Sequence, residues 1–270
     1  MTATPTAVEA AHRPRKTFYK KHESFILGGS AVFLTLAIWQ ACWSAGWISP
    51  LFMSGPSAIA LRFQDDLMHG TLLSDLSYSG TNFAVGFVLA VVLGVVLGVI
   101  VGWYKKAEML AGPFINALYA TPRVAMIPLI IIWFGIGIWS KVFIVFITAF
   151  FPVLLNTIGG IRAIDRDLLR AARAFCASDR QIFTTVAIPG AVPFILTGIR
   201  QGVALGLIGV VVGEMFGGSK GIGFMVAYGG QTFQTDTLFV GVLILAFAGI
   251  ALTALAEQLE KRFSRWRPER

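Results

Sequence analysis

Charge is what this sequence is shortest of. Only 13% of its 270 residues are Asp, Glu, Lys or Arg, and 56% are hydrophobic. Soluble domains carry a charged share of roughly 25%, so there is too little charge here to coat a surface facing water. Cysteine is nearly absent as well. Cys42 and Cys176 form no C-x-x-C and no disulfide framework, and His12, His22 and His69 fall at no metal-ligand spacing. Neither a disulfide nor a metal site is expected. Together these shortages exclude a disordered chain, a coiled coil and a secreted disulfide scaffold. What is abundant is apolar: the mean hydropathy is +0.74, and there are 29 glycines, a residue commoner in lipid-embedded helices than in soluble ones. An all-α integral membrane protein with several spans is the class that remains.

The net charge of +8 would suggest a nucleic-acid surface if the basic residues formed one patch. Their distribution says otherwise. A bilayer core of about 30 Å needs about 20 apolar residues in helix, and six stretches qualify: 25–47, 81–103, 110–136, 142–161, 192–213 and 238–256. Basic residues gather in the segments that share one side of such a topology. They are Arg13, Arg15, Lys16, Lys20 and Lys21 before the first span, and Lys105 and Lys106 after the second. Arg162, Arg166, Arg170, Arg173 and Arg180 follow the fourth, and Lys261, Arg262, Arg265, Arg267 and Arg270 follow the sixth. The other side receives Arg62, Lys141 and Lys220 beside Asp65, Asp66, Asp75 and Asp236. By the positive-inside rule both termini are cytoplasmic, which requires an even number of crossings. No nucleic-acid partner is implied. The first span is too long for a signal-peptide core, and Trp39, Gln40 and Trp43 stand where small residues would mark cleavage.

Small residues recur four apart at Gly86, Ala90, Gly94, Gly98 and Gly102, and again at Gly198, Gly202 and Gly206, followed by Gly209, Gly213 and Gly217. Such stripes let helix backbones approach closely where lipid supplies no hydrophobic drive. Packing inside one subunit and a contact between subunits both fit. The third span contains Pro113, Pro122 and Pro128, so a kinked or interrupted helix is expected. Broken helices at membrane depth often line a polar cavity.

The connection 161–189 is the longest basic loop. Ile164, Leu168, Ala171, Ala172 and Phe175 recur at helical spacing with charges between them, and Asp165 and Asp167 stand at its start, favourable at the positive end of a helix dipole. An amphipathic helical hairpin outside the membrane is expected. Its apolar face needs a partner: the bundle itself, lipid headgroups or a groove on another protein.

These residues resemble the EAA loop of permease subunits of ATP-binding-cassette (ABC) importers, in which Glu-Ala-Ala is followed after three residues by Gly and later by a closing I-x-L-P. Ala171 and Ala172 stand at the two alanines, and Ile188-Pro189-Gly190-Ala191 is similar to the closing segment. Arg170 replaces the usual Glu and Cys176 the usual Gly. Arg170 reverses a charge, so no salt bridge of that Glu carries over; Cys176 is still small, which keeps a packing role open. Tyr119-Ala120-Thr121-Pro122-Arg123, Ile127-Pro128-Leu129, Trp133-Phe134-Gly135-Ile136-Gly137, Phe150-Phe151-Pro152, Gly198-Ile199-Arg200, Gly213-Glu214 and Gly221-Ile222-Gly223 are similar to the nitrate, sulfonate, taurine and bicarbonate branch.

The resemblance implies a type I permease fold of six transmembrane helices with a cytoplasmic coupling helix. It divides the chain into a basic tail (1–24), a first transmembrane helix (25–47), and a periplasmic linker with an amphipathic helix (48–71). A type I transmembrane domain (72–257) and a second basic tail (258–270) follow. It implies a multi-pass protein of the bacterial inner membrane that docks ABC ATPase subunits through Arg170, Ala171, Ala172, Cys176, Ile188 and Pro189. A periplasmic solute-binding protein would deliver the solute, and a second permease copy, simplest as a homodimer, would match two ATPases. The chain carries no G-x-x-x-x-G-K-[ST]; the nearest patch, Gly217-Gly218-Ser219-Lys220-Gly221, is out of order. The expectation is a non-catalytic subunit without a cofactor of its own, ATP being held and hydrolysed by the partner.

Inside the spans, Arg123 and Arg200 are the costly residues, since a mid-helix Arg costs about 2.5–3.5 kcal/mol on insertion scales. Arg123 follows the proline break and is a candidate for a cavity. Arg200 is either a pathway residue or an Arg reaching the inner interface against a neighbour. Glu214 is placed near the outer mouth, as a gate ion-pair partner or an interfacial acid. Asn82, Asn116, Asn156 and Gln201 are candidates for interhelical bonds, and His69 and Asp75 are expected outside the spans in solvent. If the arginines line the path, the solute is a small anion. A secondary transporter and a non-transporting membrane scaffold are the competing readings; the first needs coupling-ion sites and usually a repeat-built chain with more helices, whereas the sequence shows no internal repeat and the basic loop would be unexplained.

Overall fold

The computed structural model describes residues 18–263, with side chains for 27–262. Arg13, Arg15 and Lys16 of the first basic tail, and Arg265, Arg267 and Arg270 of the second, lie outside the described residues. The chain divides into two compact units, one up to Ala58 and one from Ile59 onward. The first holds helix α1 (Phe18–Ser44), whose window Leu27–Ser44 is apolar enough to cross a membrane. Beyond it the chain turns back on α1. Ser57 N–H donates to Gln40 Oε1 at 3.0 Å, and Gly55 lies so close to the Trp43 indole that a Cβ there would come within 2.7 Å of its Cγ. Helix α2 (Pro56–Met68) starts at this turn with a proline, tolerated in a first helical turn because the missing N–H would have no partner there.

The second unit is built on three helices: α3 (Leu72–Trp103), α6 (Ile138–Arg162) and α9 (Ile188–Met215). The small-residue stripes decide how they meet. On α3, a Cβ at Gly86 would lie 2.6 Å from Val142 O, one at Gly94 2.9 Å from Val153, and one at Gly98 2.6 Å from Thr157 Cβ. The partner number rises with the glycine number, so α3 and α6 run parallel. On α9 it falls: Gly198 abuts Asn156 and Pro152, Gly202 abuts Val153 and Ala149, and Gly209 abuts Val145, so α9 runs antiparallel to α6. These stripes therefore pack helices within one chain. Ala90, Val145, Ala149 and Val153 are fully buried between them.

The third apolar stretch is broken. Helix α4 (Lys105–Ala120) ends at Thr121, a 3-10 turn spans Arg123–Met126, and α5 (Ile127–Phe134) leaves at 89° to α4. Of its three prolines only Pro122 breaks the helix: it forces Thr121 into extended backbone (φ −71°, ψ 128°). Pro113 lies inside α4, and Pro128 falls in the first turn of α5, where its missing donor is harmless. Helix α7 (Arg166–Ala174) and the single turn α8 (Asp179–Ile182) follow α6, and a π-helical turn over Phe183–Ala187 carries the chain into α9. Helix α10 (Ile222–Gln231) is too short to span a bilayer at 10 residues, and α11 (Thr235–Phe263) closes the unit. Among the described residues, five helices are long and apolar enough to cross a membrane, or six if α4 and α5 count as one bent span.

Candidate functional site

The loop between α6 and α9 is well capped and largely unburied. Asp165 caps α7 by accepting from Asp167 N–H at 2.8 Å, and Ser178 and Gln181 form a capping box at α8. No residue of α7 is buried; Leu168 is 54% exposed and Phe175 88%. Arg170 pairs with Asp167 one turn earlier on the same helix, and both side chains are open to the surroundings. Ala171, Cys176 and Pro189 are exposed, while Ala172 and Ile188 are half-buried. Within this chain Cys176 is exposed rather than packed. Its φ is +58°, its N–H bonds Arg173 O at 2.9 Å and Ala177 N–H bonds Ala172 O at 3.1 Å. That is the pattern of a Schellman motif with Cys176 in its left-handed position. A glycine suits this position for its backbone rather than its size.

The two intramembrane arginines have opposite surroundings. Arg200 on α9 lies 3.8 Å from Glu257 and 3.5 Å from Glu260, both on α11, so two acids of its own chain answer its charge. Arg123 stands in the 3-10 turn just past the break, its guanidinium carbon 5.3 Å from the ring centroids of both Tyr119 and Phe151. It makes no ion pair among the described residues, and its Nε is buried without a hydrogen-bond partner. With Ile144, Thr148 and Gly209 it borders a cavity of about 30 Å³, room for about one water molecule. Asn156 and Gln201 bond each other at 2.9 Å between α6 and α9; Asn116, also expected to bond between helices, is exposed.

Where α3 and α6 begin and α9 ends, a network encloses Glu214. Its Oε2 accepts from Ser79 Oγ at 2.8 Å and from Gly223 N–H at 2.9 Å, and its Oε1 accepts from Asn82 Nδ2 at 2.9 Å. Ser79 Oγ in turn accepts Ile222 N–H at 2.8 Å, and Asp75 Oδ1 accepts Gly221 N–H at 2.8 Å. Three successive N–H groups at the start of α10 are thus met by side chains of α3 and α9, two of them carboxylates, as the positive end of a helix dipole favours. Lys141 donates to Ile136 O and, at 2.8 Å, to Gly217 O, capping the chain just beyond α9. Glu214 is fully enclosed and Lys141 is 1% exposed.

Three expectations change here. Glu214 is buried rather than interfacial, and among the described residues it makes no ion pair but forms the centre of a hydrogen-bonded joint. Asp75, expected in solvent, is buried inside α3, and Lys141, expected between spans, is buried inside α6. His69 is exposed as expected, 3.4 Å from Asp65. A signal for the joint was present: Asp75, Ser79 and Asn82 continue the spacing of Gly86, Ala90, Gly94 and Gly98 toward the start of α3, placing them on its packed face.

Residues 70–265 match the family model described as a binding-protein-dependent transport system inner membrane component. The chain belongs to this family. It is 34% identical over 257 residues to the putative aliphatic sulfonates transport permease protein SsuC of Bacillus subtilis (strain 168), covering 95% of this chain and 93% of that one. Over 235 residues it is 37% identical to the riboflavin transport system permease protein RibX of Chloroflexus aurantiacus, covering 87% and 88%. Its fold is similar to that of the inward-facing MetNI methionine ABC transporter, with a TM-score of 0.60 at 19% identity over 74% of this chain and 97% of that one. The protein is a membrane-spanning permease subunit of an ABC importer, with an all-helical type I fold of five or six spans. As a permease of a binding-protein-dependent system it works with an ATPase and a solute-binding protein. The matched region begins just before α3 and takes in the Glu214 joint, Arg123 and the α7 loop.

Proposed function

We propose that this permease imports a small organic anion of the sulfonate class across the bacterial inner membrane, and that Arg123 is the residue of this chain that meets it. The supporting observation is that Arg123 is a cation at a break in a membrane span, resting on two aromatic rings with no ion pair among the described residues. A charge so placed is costly and is best answered by a passing anion; the rings hold the guanidinium while leaving its charge uncancelled. A relative named for aliphatic sulfonates agrees. Arg200, already paired with Glu257 and Glu260, serves to tie α9 to α11.

The cycle we infer joins two copies of this chain. Each docks an ATPase through Ala171, Ala172 and the exposed Leu168 and Phe175 of the α7 loop, and ATP is held only by that partner. No cofactor or catalytic group resides on this chain. The basic end of the second unit faces the cytoplasm, and the Glu214 end faces the binding protein; both termini of the chain are cytoplasmic by the positive-inside rule. Nucleotide closure draws the two loops together and favours the outward-open state, provided the two states differ in loop spacing.

Uptake of a labelled alkanesulfonate into proteoliposomes holding the complete transporter tests the anion reading. Arg123→Ala is expected to lower uptake at least tenfold with ATPase activity and abundance preserved, Arg123→Lys to restore part of it, and Arg200→Ala to cost less than threefold. Wild-type uptake by Arg123→Ala would overturn the assignment.

A further inference from the structure

We propose that the cavity beside the start of α3 is a binding site for a small primary ammonium compound. The cavity measures about 230 Å³, several times the roughly 30 Å³ that one water occupies in the liquid. Two acids border it, and only one is matched by a cation. Asp66 is gripped by Arg62 through both carboxylate oxygens, at 3.0 and 3.1 Å. Asp75, 8% exposed, has no cationic side chain within 4 Å among the described residues. It accepts from Gly221 N–H and, at 2.6 Å, from Thr71 Oγ1, one bond to each oxygen. A carboxylate oxygen accepts two, so each keeps a free lone pair.

The second observation is independent of that carboxylate. Thr237, on the first turn of α11, borders the same cavity and is 5% exposed, yet its Oγ1 has no hydrogen-bond partner. A buried hydroxyl left unsatisfied costs about 1–3 kcal/mol, so the position is explained if a donor from outside the chain completes it. Gln234 also borders the cavity and carries a side-chain amide that can accept. An ammonium group brings three donors and a positive charge, matching the acceptors of Asp75, Thr237 and Gln234.

The rest of the lining selects the ligand's other end. Leu72 and the rings of Phe224 and Tyr228, whose centroids lie 6.0 Å apart, form an apolar wall. Carbon on that side leaves too few oxygens for a divalent metal, which asks for six or more. It suits a short alkyl group, and the rings favour a cation next to them. An anion is disfavoured because the one arginine at the cavity is already spent on Asp66. Since Asp75 also holds the first N–H of the α10 joint, a ligand here would fasten α11 and α2 to the α3–α10 contact at the end assigned above to the binding protein.

The test uses the purified permease–ATPase complex in nanodiscs with labelled ethylammonium as the probe, in equilibrium dialysis at constant ionic strength. Saturable binding of one ethylammonium per permease chain is expected, with no competition from equimolar sodium and little from tetramethylammonium, which has no N–H to donate. Thr237→Val is expected to weaken binding at least threefold and Asp75→Asn at least tenfold. Should Asp75→Asn fail to assemble, Thr237→Val and the sodium competition decide. Absent or non-saturable binding, displacement by sodium, or full affinity in Thr237→Val would each overturn the proposal. None of these readouts depends on sulfonate transport, so the anion assignment of Arg123 stands or falls separately.

Discussion

At one end of the α3–α6–α9 packing, Glu214 and Lys141 are enclosed and every oxygen and nitrogen of their charged groups bonds to this same chain. At the other end, Arg170 and Asp167 pair in the open, and the large apolar side chains of Leu168 and Phe175 have nothing over them. The residue types are similar; what differs is where their partners lie. A buried charge that is fully bonded specifies one local structure and is costly to disturb, whereas an exposed pair contributes about 0–1 kcal/mol and leaves the surface to be read by something else. The first end is completed by folding; the second, on the function proposed above, is completed by assembly. Substitutions should separate the two cleanly.

The largest effect is expected at the enclosed end. Glu214→Ala strips the acceptors from Asn82 Nδ2, Ser79 Oγ and Gly223 N–H at once. Orphaning such groups costs about 1–3 kcal/mol each, so a loss of roughly 3–5 kcal/mol of stability is expected. Thermal unfolding of the purified permease reads it, at roughly 2–4 °C per kcal/mol for a chain of this size. Glu214→Gln keeps the Asn82 bond but turns one acceptor into a donor facing Gly223 N–H, and about half the loss is expected. An unchanged melting temperature in Glu214→Ala would dissolve the contrast between the two ends.

Next comes the seam that holds the ends apart. Gly86→Ala drives a methyl to 2.6 Å from Val142 O and 2.7 Å from Val145 Cβ, contacts that cannot be relieved without moving backbone. Overpacking of this kind costs about 1–3 kcal/mol. Gly112→Ala, on α4 with nothing within 4 Å, serves as its control and is expected to be neutral or to gain about 0.5–1 kcal/mol. Equal losses from both would mean that helix propensity, not close approach, explains the stripe.

The exposed end is expected to behave in the opposite way. Leu168→Asp on α7 removes no buried contact, so melting should be unchanged. Copurification of the ATPase should fall at least tenfold, about 1.4 kcal/mol of binding. If the complex persists and the permease itself melts earlier, α7 is packed inward after all and the division between folding and assembly fails on its strongest example.

How far the sequence announced these features follows from the kind of signal each carries. Spans, the basic loop and the break in the third span rest on composition and on proline's missing donor, which are local, and the structure places them accordingly. Which proline breaks the helix is not local. Pro113 and Pro122 look alike in the sequence, but only Pro122 is followed by a chain that turns away through 89°. Lys141 and Asp75 were assigned to the surface because charge at a span's edge usually meets water. They are buried because Gly217 O, Ile136 O and the N–H groups of α10 arrive from distant parts of the chain. Arg123 and Arg200 were told apart only in part for the same reason: the proline break pointed Arg123 toward a cavity, but only the fold brings Glu257 and Glu260 to Arg200.

The smallest expected effect is the sharpest test of what the exposed end is for. Cys176 holds φ +58°, a conformation that costs a side-chain-bearing residue about 1–2 kcal/mol and a glycine almost nothing. Cys176→Gly should therefore stabilise the α7 end locally by about 1 kcal/mol, less whatever flexibility glycine adds to the unfolded chain. The gain belongs to the two bonds that close the motif, Cys176 N–H to Arg173 O and Ala177 N–H to Ala172 O, so hydrogen exchange at those amides should slow about fivefold while the Glu214 end is unaffected. If docking an ATPase merely needs α7 to be well formed, the substitution should also tighten the complex. A looser complex in Cys176→Gly would instead show that the ATPase reads the cysteine side chain, six residues after Arg170, and that this chain's departures at both positions were shaped against one partner surface.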